Sequence, residues 1–345
     1  MLALRKLTPA FGLNLQEVSE PSQPRADELR VRVSAAGVCG SDVHAYEWTD
    51  GYGFMTPLLP ITLGHEFAGH VEAVGSEVSG YAVGDPVTAW PTVVCGACAA
   101  CRAGRPQHCP NRQIIGLHRN GGFASHVTVP AANAFRLPEG LDPAVAALAE
   151  PLTIAFNALD VGGVGEGDAV VVLGAGPIGL GIAWLAQHRG ARPVILAGFE
   201  DPLRLRCAGE MGIEHRVDIA DEPLEEAVRR VAGGPVDCVI EATGKVQSID
   251  DALRILRAGG IAVAAGIHDR KLTVDLTRLI REKQQIRGAH DSTREAWRAV
   301  LAILAEQGGS LGRMVTHRLP LAEGLAGFEL ARRREAVKVL LEPGA

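Results

Sequence analysis

Cys39, His65 and Glu66 offer a thiolate, an imidazole and a carboxylate, side-chain types that bind Zn²⁺. Three protein donors leave one position open for water or substrate, as a catalytic ion requires. The thiol stands in Ala36-Gly37-Val38-Cys39-Gly40-Ser41-Asp42-Val43-His44, and the other two donors in Gly64-His65-Glu66. Between them runs a long irregular stretch holding Trp48, Tyr52, Phe54 and Met55, side chains suited to wall a substrate pocket. A lone cysteine and a distant histidine are more often packing than ligands. Two further signals in the same chain raise them above that reading.

The first is Cys95, Cys98 and Cys101, followed by Cys109. Three cysteines at intervals of three and a fourth eight residues on can wrap one tetrahedral ion and leave nothing open. The expectation is a structural zinc; an iron–sulfur cluster would use the same four thiolates. The second is Gly174-Ala175-Gly176-Pro177-Ile178-Gly179, directly after the apolar run Ala169 to Leu173 and before a helical stretch reaching about His188. Such a turn lets a pyrophosphate approach the N-terminus of the following helix, where free N–H groups and the helix dipole favour anions. Alone the glycine pattern is weak, but between strand and helix it is strong. Together the three features predict metal-assisted hydride transfer involving a dinucleotide.

These groups need elements to hold them. Up to about residue 150 the chain reads as mainly β: Leu29 to Val33 alternates apolar and polar, and Phe67 to Gly75 and Asp85 to Trp90 continue a strand-and-turn pattern. From 168 to 266 the pattern becomes strand–helix–strand, with strands at Ala169–Leu173, Pro193–Ala197, Val236–Gly244 and Gly259–Gly266. Continuous apolar strands alternating with helices predict a parallel, doubly wound sheet. Thr293 to Gln307 reads as an amphipathic helix, and Val337 to Leu341 as a closing strand that returns to the first domain.

Length and composition set bounds. The 345 residues suggest two domains. A net charge of −6 gives no reason to expect nucleic acid or an anionic membrane as partner. The basic run Arg332-Arg333-Arg334 is explained by a solvated helix face. No secretory signal opens the chain, and the apolar run Ala169 to His188 is broken by the glycine turn, so no membrane span is expected. Seven cysteines, four of them crowded together, argue for metal rather than disulfides. The expected location is the cytoplasm. Cys207 and Cys238 read as small buried hydrophobes.

Over nearly its full length the chain resembles the zinc-dependent medium-chain alcohol dehydrogenase family, in particular its threonine and polyol (sorbitol-like) dehydrogenase branches. The resemblance rests on Gly37 to Asp42, Gly64-His65-Glu66, the four-cysteine lobe and Gly174 to Gly179. It implies an α/β protein with a mainly-β GroES-like catalytic domain at 1–155, including a structural zinc lobe at 91–112. A Rossmann domain would follow at 156–289, and 290–345 would return to the catalytic domain. By the resemblance Cys39 and His65 hold the catalytic zinc. Glu66 is a ligand or lies just behind one, and Glu150 of Glu150-Pro151-Leu152 approaches or replaces the metal-bound water. Without the resemblance Glu150 reads as a helix-end surface group. Asp42 would orient the histidine, while Ser41 and His44 would relay the alcohol proton to solvent; His44 alone reads equally as an ordinary loop residue.

The implied cofactors are two zincs per chain and NAD, with NADP as the alternative. The second strand ends at Gly198-Phe199, with Glu200 just beyond. Glu200 reaching the ribose hydroxyls favours NAD, whereas Arg204 would accept the phosphate of NADP. The substrate would be a secondary alcohol: a polyol, a sugar alcohol or a hydroxy amino acid such as L-threonine. The resemblance also implies a homodimer or homotetramer, pairing strands near Lys271 to Asp275. A non-catalytic zinc- and nucleotide-binding scaffold is the alternative from another class. A zinc-free quinone-reductase-like relative would lack both metal motifs.

Overall fold

The computed structural model describes residues 1–268 and 270–344. The chain forms two compact units. One comprises Met1–Glu150, Trp297–Gly308 and Val315–Ala345; the other comprises Pro151–Ala296 and Gly309–Met314. The expectation that everything after 290 joins the first unit is therefore corrected at both ends of the helix Arg294–Leu311. Side-chain chemistry explains the second exception. Ser310 accepts from the Trp184 indole at 3.2 Å and donates to the Met211 carbonyl at 3.1 Å, while Cys207 Sγ lies 3.6 Å from the Arg313 carbonyl.

In the first unit the strand Glu28–Gly37 is the axis of a seven-stranded sheet. Its inward positions Leu29, Val31 and Val33 are buried, as the alternation predicts. On one side it pairs antiparallel with Glu66–Val74, Gly37 opposite Glu66. On the other it pairs antiparallel with the closing strand Lys338–Glu342, Leu340 opposite Gly37. His126–Pro130 covers its first half. This register decides the site. The end of the axial strand, the start of one neighbour and the start of the other meet at a single edge, bringing Cys39, Glu66 and Lys338 together. A smaller sheet, Asn14–Glu17, Leu2–Lys6 and Ile61–Thr62, lies beside it. Phe67, Phe123, Phe328, Leu4 and Met55 fill the core of this unit.

The second unit carries six parallel strands: Val170–Leu173, Val194–Gly198, His215–Asp218, Val236–Glu241, Leu256–Ala264 and Gln285–Gly288. In space they run third, second, first, fourth, fifth, sixth, the order of a doubly wound dinucleotide-binding sheet. The order reverses between the first and fourth strands, and ligands bind at such a switch point, off the carboxyl ends. The run Ala169 to His188 divides into the strand Val170–Leu173 and the helix Pro177–His188. The segment Pro143–Gly162 is also long and apolar enough to span a membrane, but 67% of that apolar window is buried inside the fold, where it serves as core. Cys207 and Cys238 are buried.

One further sequence expectation needs correction. The stretch after Cys39 is not irregular throughout: Gly40–Glu47 is a helix. The Asp42 carboxylate accepts from the Cys39 N–H at 3.1 Å, closing the first turn, and Trp48 ends the helix in a left-handed conformation (φ 57°). Among the described residues, Lys271 to Asp275 pair with no strand of their own chain. Asp275 caps the helix Leu276–Arg281, accepting from the Arg278 N–H at 3.1 Å.

Candidate functional site

The ligand atoms of Cys39, His65 and Glu66 lie within 4.8 Å of one another. Cys39 caps the helix Gly40–Glu47, and His65 and Glu66 stand at the start of the neighbouring strand. His65 and Glu66 are buried and Cys39 is half-buried. The Asp42 carboxylate, fully buried, lies 3.4 Å from His65 Nδ1. That contact fixes the ring and leaves Nε2 as the nitrogen available to a metal. Burial opposes a charge on His65, but the Asp42 carboxylate and the Cys39 thiolate outweigh it and hold the imidazole well above its ordinary range. Binding a cation there displaces a proton. A soft thiolate, an imidazole and a carboxylate at this spacing suit Zn²⁺.

Glu66 has a partner that the sequence reading missed. Lys338 Nζ, fully buried, donates to its two oxygens at 2.6 and 2.9 Å and to the Val38 carbonyl at 3.1 Å. Burial disfavours the ammonium, yet Glu66 and Cys39, with a further contribution from Glu150, raise its pKa above the ordinary lysine value. Gly37 is required beside this pair, because a Cβ there would collide with Glu66 Oε2. Glu150 opens the helix Ala149–Gly162 and is buried, which removes the surface reading. It is not one of the three residues whose donor atoms cluster.

Ser41 Oγ lies 3.3 Å from His65 Nε2. His44, three residues along the same helix and so on the same face, turns Nδ1 to Thr49 Oγ1 at 3.2 Å. Of the four residues expected to wall a pocket, two belong elsewhere. Met55 is completely buried in the core, and Trp48 packs on the core's edge under Lys6. Tyr52 does lie at the site: burial and then the charges of Cys39 and Asp42 raise its phenol pKa. Its ring stacks on His44 at 6.0 Å, and Phe54 stacks on His118 at 4.8 Å.

The sulfurs of Cys95, Cys98, Cys101 and Cys109 also lie within 4.8 Å of one another. Cys98–Cys109 is 3.9 Å and Cys109–Cys95 is 3.6 Å. A tetrahedron with metal–sulfur bonds of about 2.3 Å has edges of about 3.8 Å, so the four thiols fit one ion. An iron–sulfur cluster spreads its cysteines over several irons and needs them farther apart. Backbone N–H groups of Ala97 and Cys98 lower the Cys95 thiol, whereas burial raises Cys101.

In the second unit Gly174 ends the first strand and Gly176 caps the helix, with Pro177 and Ile178 in its first turn. A Cβ at Gly179 would strike the Gly174 carbonyl, so glycine permits the helix to pack on the turn. Gly176 has open space around it, as close approach of a ligand to the backbone requires. Glu200 is exposed just past the second strand, and its N–H donates to Asp218 at 3.0 Å. Arg204 is largely buried and ion-paired with Asp201 at 3.2 Å.

Beyond the site itself, residues 25–139 match the alcohol dehydrogenase GroES-like domain and residues 177–306 the zinc-binding dehydrogenase domain. The chain is 34% identical over 343 residues to an L-threonine 3-dehydrogenase of Stenotrophomonas maltophilia, covering 99% of each. It is 32% identical over 347 residues to a sorbitol dehydrogenase of Halalkalibacterium halodurans, again covering 99% of each. The structure of the alcohol dehydrogenase TADH from Thermus sp. ATN1 superimposes with a TM-score of 0.88 at 32% identity, covering 99% of both chains. Nothing in these likenesses favours a non-catalytic scaffold. Two domain matches in order, full-length relatives and both donor clusters lead to one assignment: the chain belongs to the zinc-dependent medium-chain alcohol dehydrogenases.

Proposed function

We propose that this dehydrogenase moves hydride between a polar secondary alcohol, either a hydroxy amino acid or a polyol, and NAD. The carrying observation is the cluster of Cys39, His65 and Glu66 beside Ser41, in a chain that also holds the dinucleotide turn at Gly174 to Gly179. Cys39, His65 and Glu66 are the proposed zinc donors, and Glu150 is the alternative third carboxylate. A zinc held there supplies a Lewis acid that lowers the pKa of a substrate hydroxyl. The chain's own residues do the rest. Asp42 orients His65, Lys338 balances the charge of Glu66, and Ser41 takes the hydroxyl proton toward His44. Cys95, Cys98, Cys101 and Cys109 hold the second, structural zinc.

The choice of NAD rests on Glu200, exposed where the ribose hydroxyls belong, and on Arg204, already neutralised by Asp201. A homodimer or higher homo-oligomer and a reducing, cytoplasmic setting complete the proposal, the latter suited to seven free thiols. The test is nicotinamide reduction by zinc-replete protein, with L-threonine beside a polyol panel, each with NAD⁺ and NADP⁺. Turnover on threonine alone fixes the hydroxy amino acid class, and turnover on polyols alone the other. Silence on all of them with two zincs bound rejects the proposed substrate class. Glu66→Gln and Glu150→Gln, read by zinc content, identify the third donor.

A further inference from the structure

Lys6 is completely buried, yet among the described residues it forms no ion pair. Its ammonium sits in a cage of oxygens and one ring. Nζ donates to the Ala10 carbonyl, to the Gly12 carbonyl at 3.1 Å and to the Tyr46 carbonyl at 3.1 Å. The Trp48 ring centroid lies 5.1 Å from Nζ. Burying a charge without a counter-charge is costly, and a methionine would fill similar space without that cost. What the charge gains is a grip on one helix end. Tyr46 and Trp48 are the end of the helix Gly40–Glu47, where carbonyls lack intrahelical donors and the dipole favours a cation.

That helix has eight residues, and its far end is also packed: the Tyr46 ring lies 4.7 Å from Phe11 and 5.5 Å from Phe328, and Glu47 lies 4.0 Å from Arg332. At its start Cys39 and Asp42 close the first turn. On its outer side the Tyr46 hydroxyl donates to Glu329 at 2.9 Å. Its last turn is held from within by Lys6 and by the Gly12 N–H, which donates to the Tyr46 carbonyl at 2.9 Å. Ser41, Asp42 and His44 lie between these anchors. Their placement relative to Cys39 and His65 depends on the helix neither unwinding nor tilting, and shifts of an ångström at such groups are costly to catalysis.

We propose that Lys6 is a positioning residue: its ammonium, caged by three carbonyls and the Trp48 ring, clamps the end of the helix that carries Ser41, Asp42 and His44. The catalytic part of this inference rests on the function proposed above; the clamp itself does not. Lys6→Met keeps the length and removes every donor, and Lys6→Gln keeps two N–H donors without charge. In the zinc-loaded protein, amide hydrogen exchange over residues 40–47 is expected to accelerate in the order native, Lys6→Gln, Lys6→Met, with the six-stranded sheet unchanged. With the best substrate of the panel, kcat is expected to fall by about tenfold or more in Lys6→Met, with KM within about twofold and zinc still at two per chain. Unchanged exchange over 40–47 in either variant overturns the clamp. Faster exchange with native kcat overturns the catalytic role. Should Lys6→Met not fold, Lys6→Gln carries both readouts under the same criteria. If no panel substrate is turned over, the exchange result still decides the clamp, separating its failure from that of the functional proposal.

Discussion

Ser41 and His44 differ in what they touch, and that difference predicts how their loss reads. Ser41 contacts the His65 imidazole, whereas His44 contacts Thr49 and the Tyr52 ring. His44 therefore leaves the metal donors untouched when removed. His44→Ala is expected to lower kcat by about a hundredfold, the ordinary scale of a lost proton-transfer group, with zinc content unchanged. Kinetics beside metal analysis check this, and full activity removes His44 from the relay. Lys6 gives a second prediction, with a definite sign. Burial lowers its pKa from 10.5 to about 8. Between those values the unfolded chain binds the extra proton, so stability gained from this group rises with pH from about 8 to about 10.5. The difference in urea-unfolding stability between native protein and Lys6→Met should grow in favour of the native chain over that range; a flat difference contradicts it. Donor types at 39, 65 and 66 were legible in the sequence because metal chemistry restricts them. Lys338 was not. A lysine in an alternating strand reads as solvent-facing, and its partner Glu66 lies 272 residues away.

Elements were legible where their period was strong. The apolar strand Val170–Leu173 and the helix Pro177–His188 stand where the alternation and the glycine turn put them. The helix Gly40–Glu47 was missed for a physical reason. It begins with glycine, buries only Asp42, Ala45 and Tyr46, and presents no apolar stripe. Capping and tertiary anchors hold it rather than periodicity. The cysteine lobe is the opposite case, because its spacing alone announces the structure. Its short helix Ala99–Arg102 buries nothing, and of the four thiols only Cys109 is buried. Such a lobe has too little core to order itself, so a metal held there would contribute folding free energy. Cys109→Ser is expected to drop zinc from two per chain to one and to lower the unfolding temperature. Proteolytic cutting should appear between 91 and 112. Retention of both zincs would refute the assignment of these four residues to a single ion.

At the scale of the molecule, strand order was legible in class but not in detail. Alternating strands and helices required a parallel sheet, and the observed third, second, first, fourth, fifth, sixth order places the reversal beside Gly174. The free edge of that sheet is another matter. Among the described residues its last strand, Gln285–Gly288, has one neighbour, and Ile286, Ile280, Leu276 and Ile267 nearby in the chain are exposed, Ile280 to 70% and Leu276 to 64%. An unpaired edge flanked by apolar side chains is unstable toward pairing with another chain. A second copy supplies an identical edge, and two-fold pairing covers both patches at once. The expected oligomer therefore joins along this edge. Sedimentation should show a dimer or a multiple of it. Ile280→Glu places a charge in each patch and should shift the population toward smaller species while leaving zinc content at two per chain. A native assembly insensitive to Ile280→Glu would move the interface to another face.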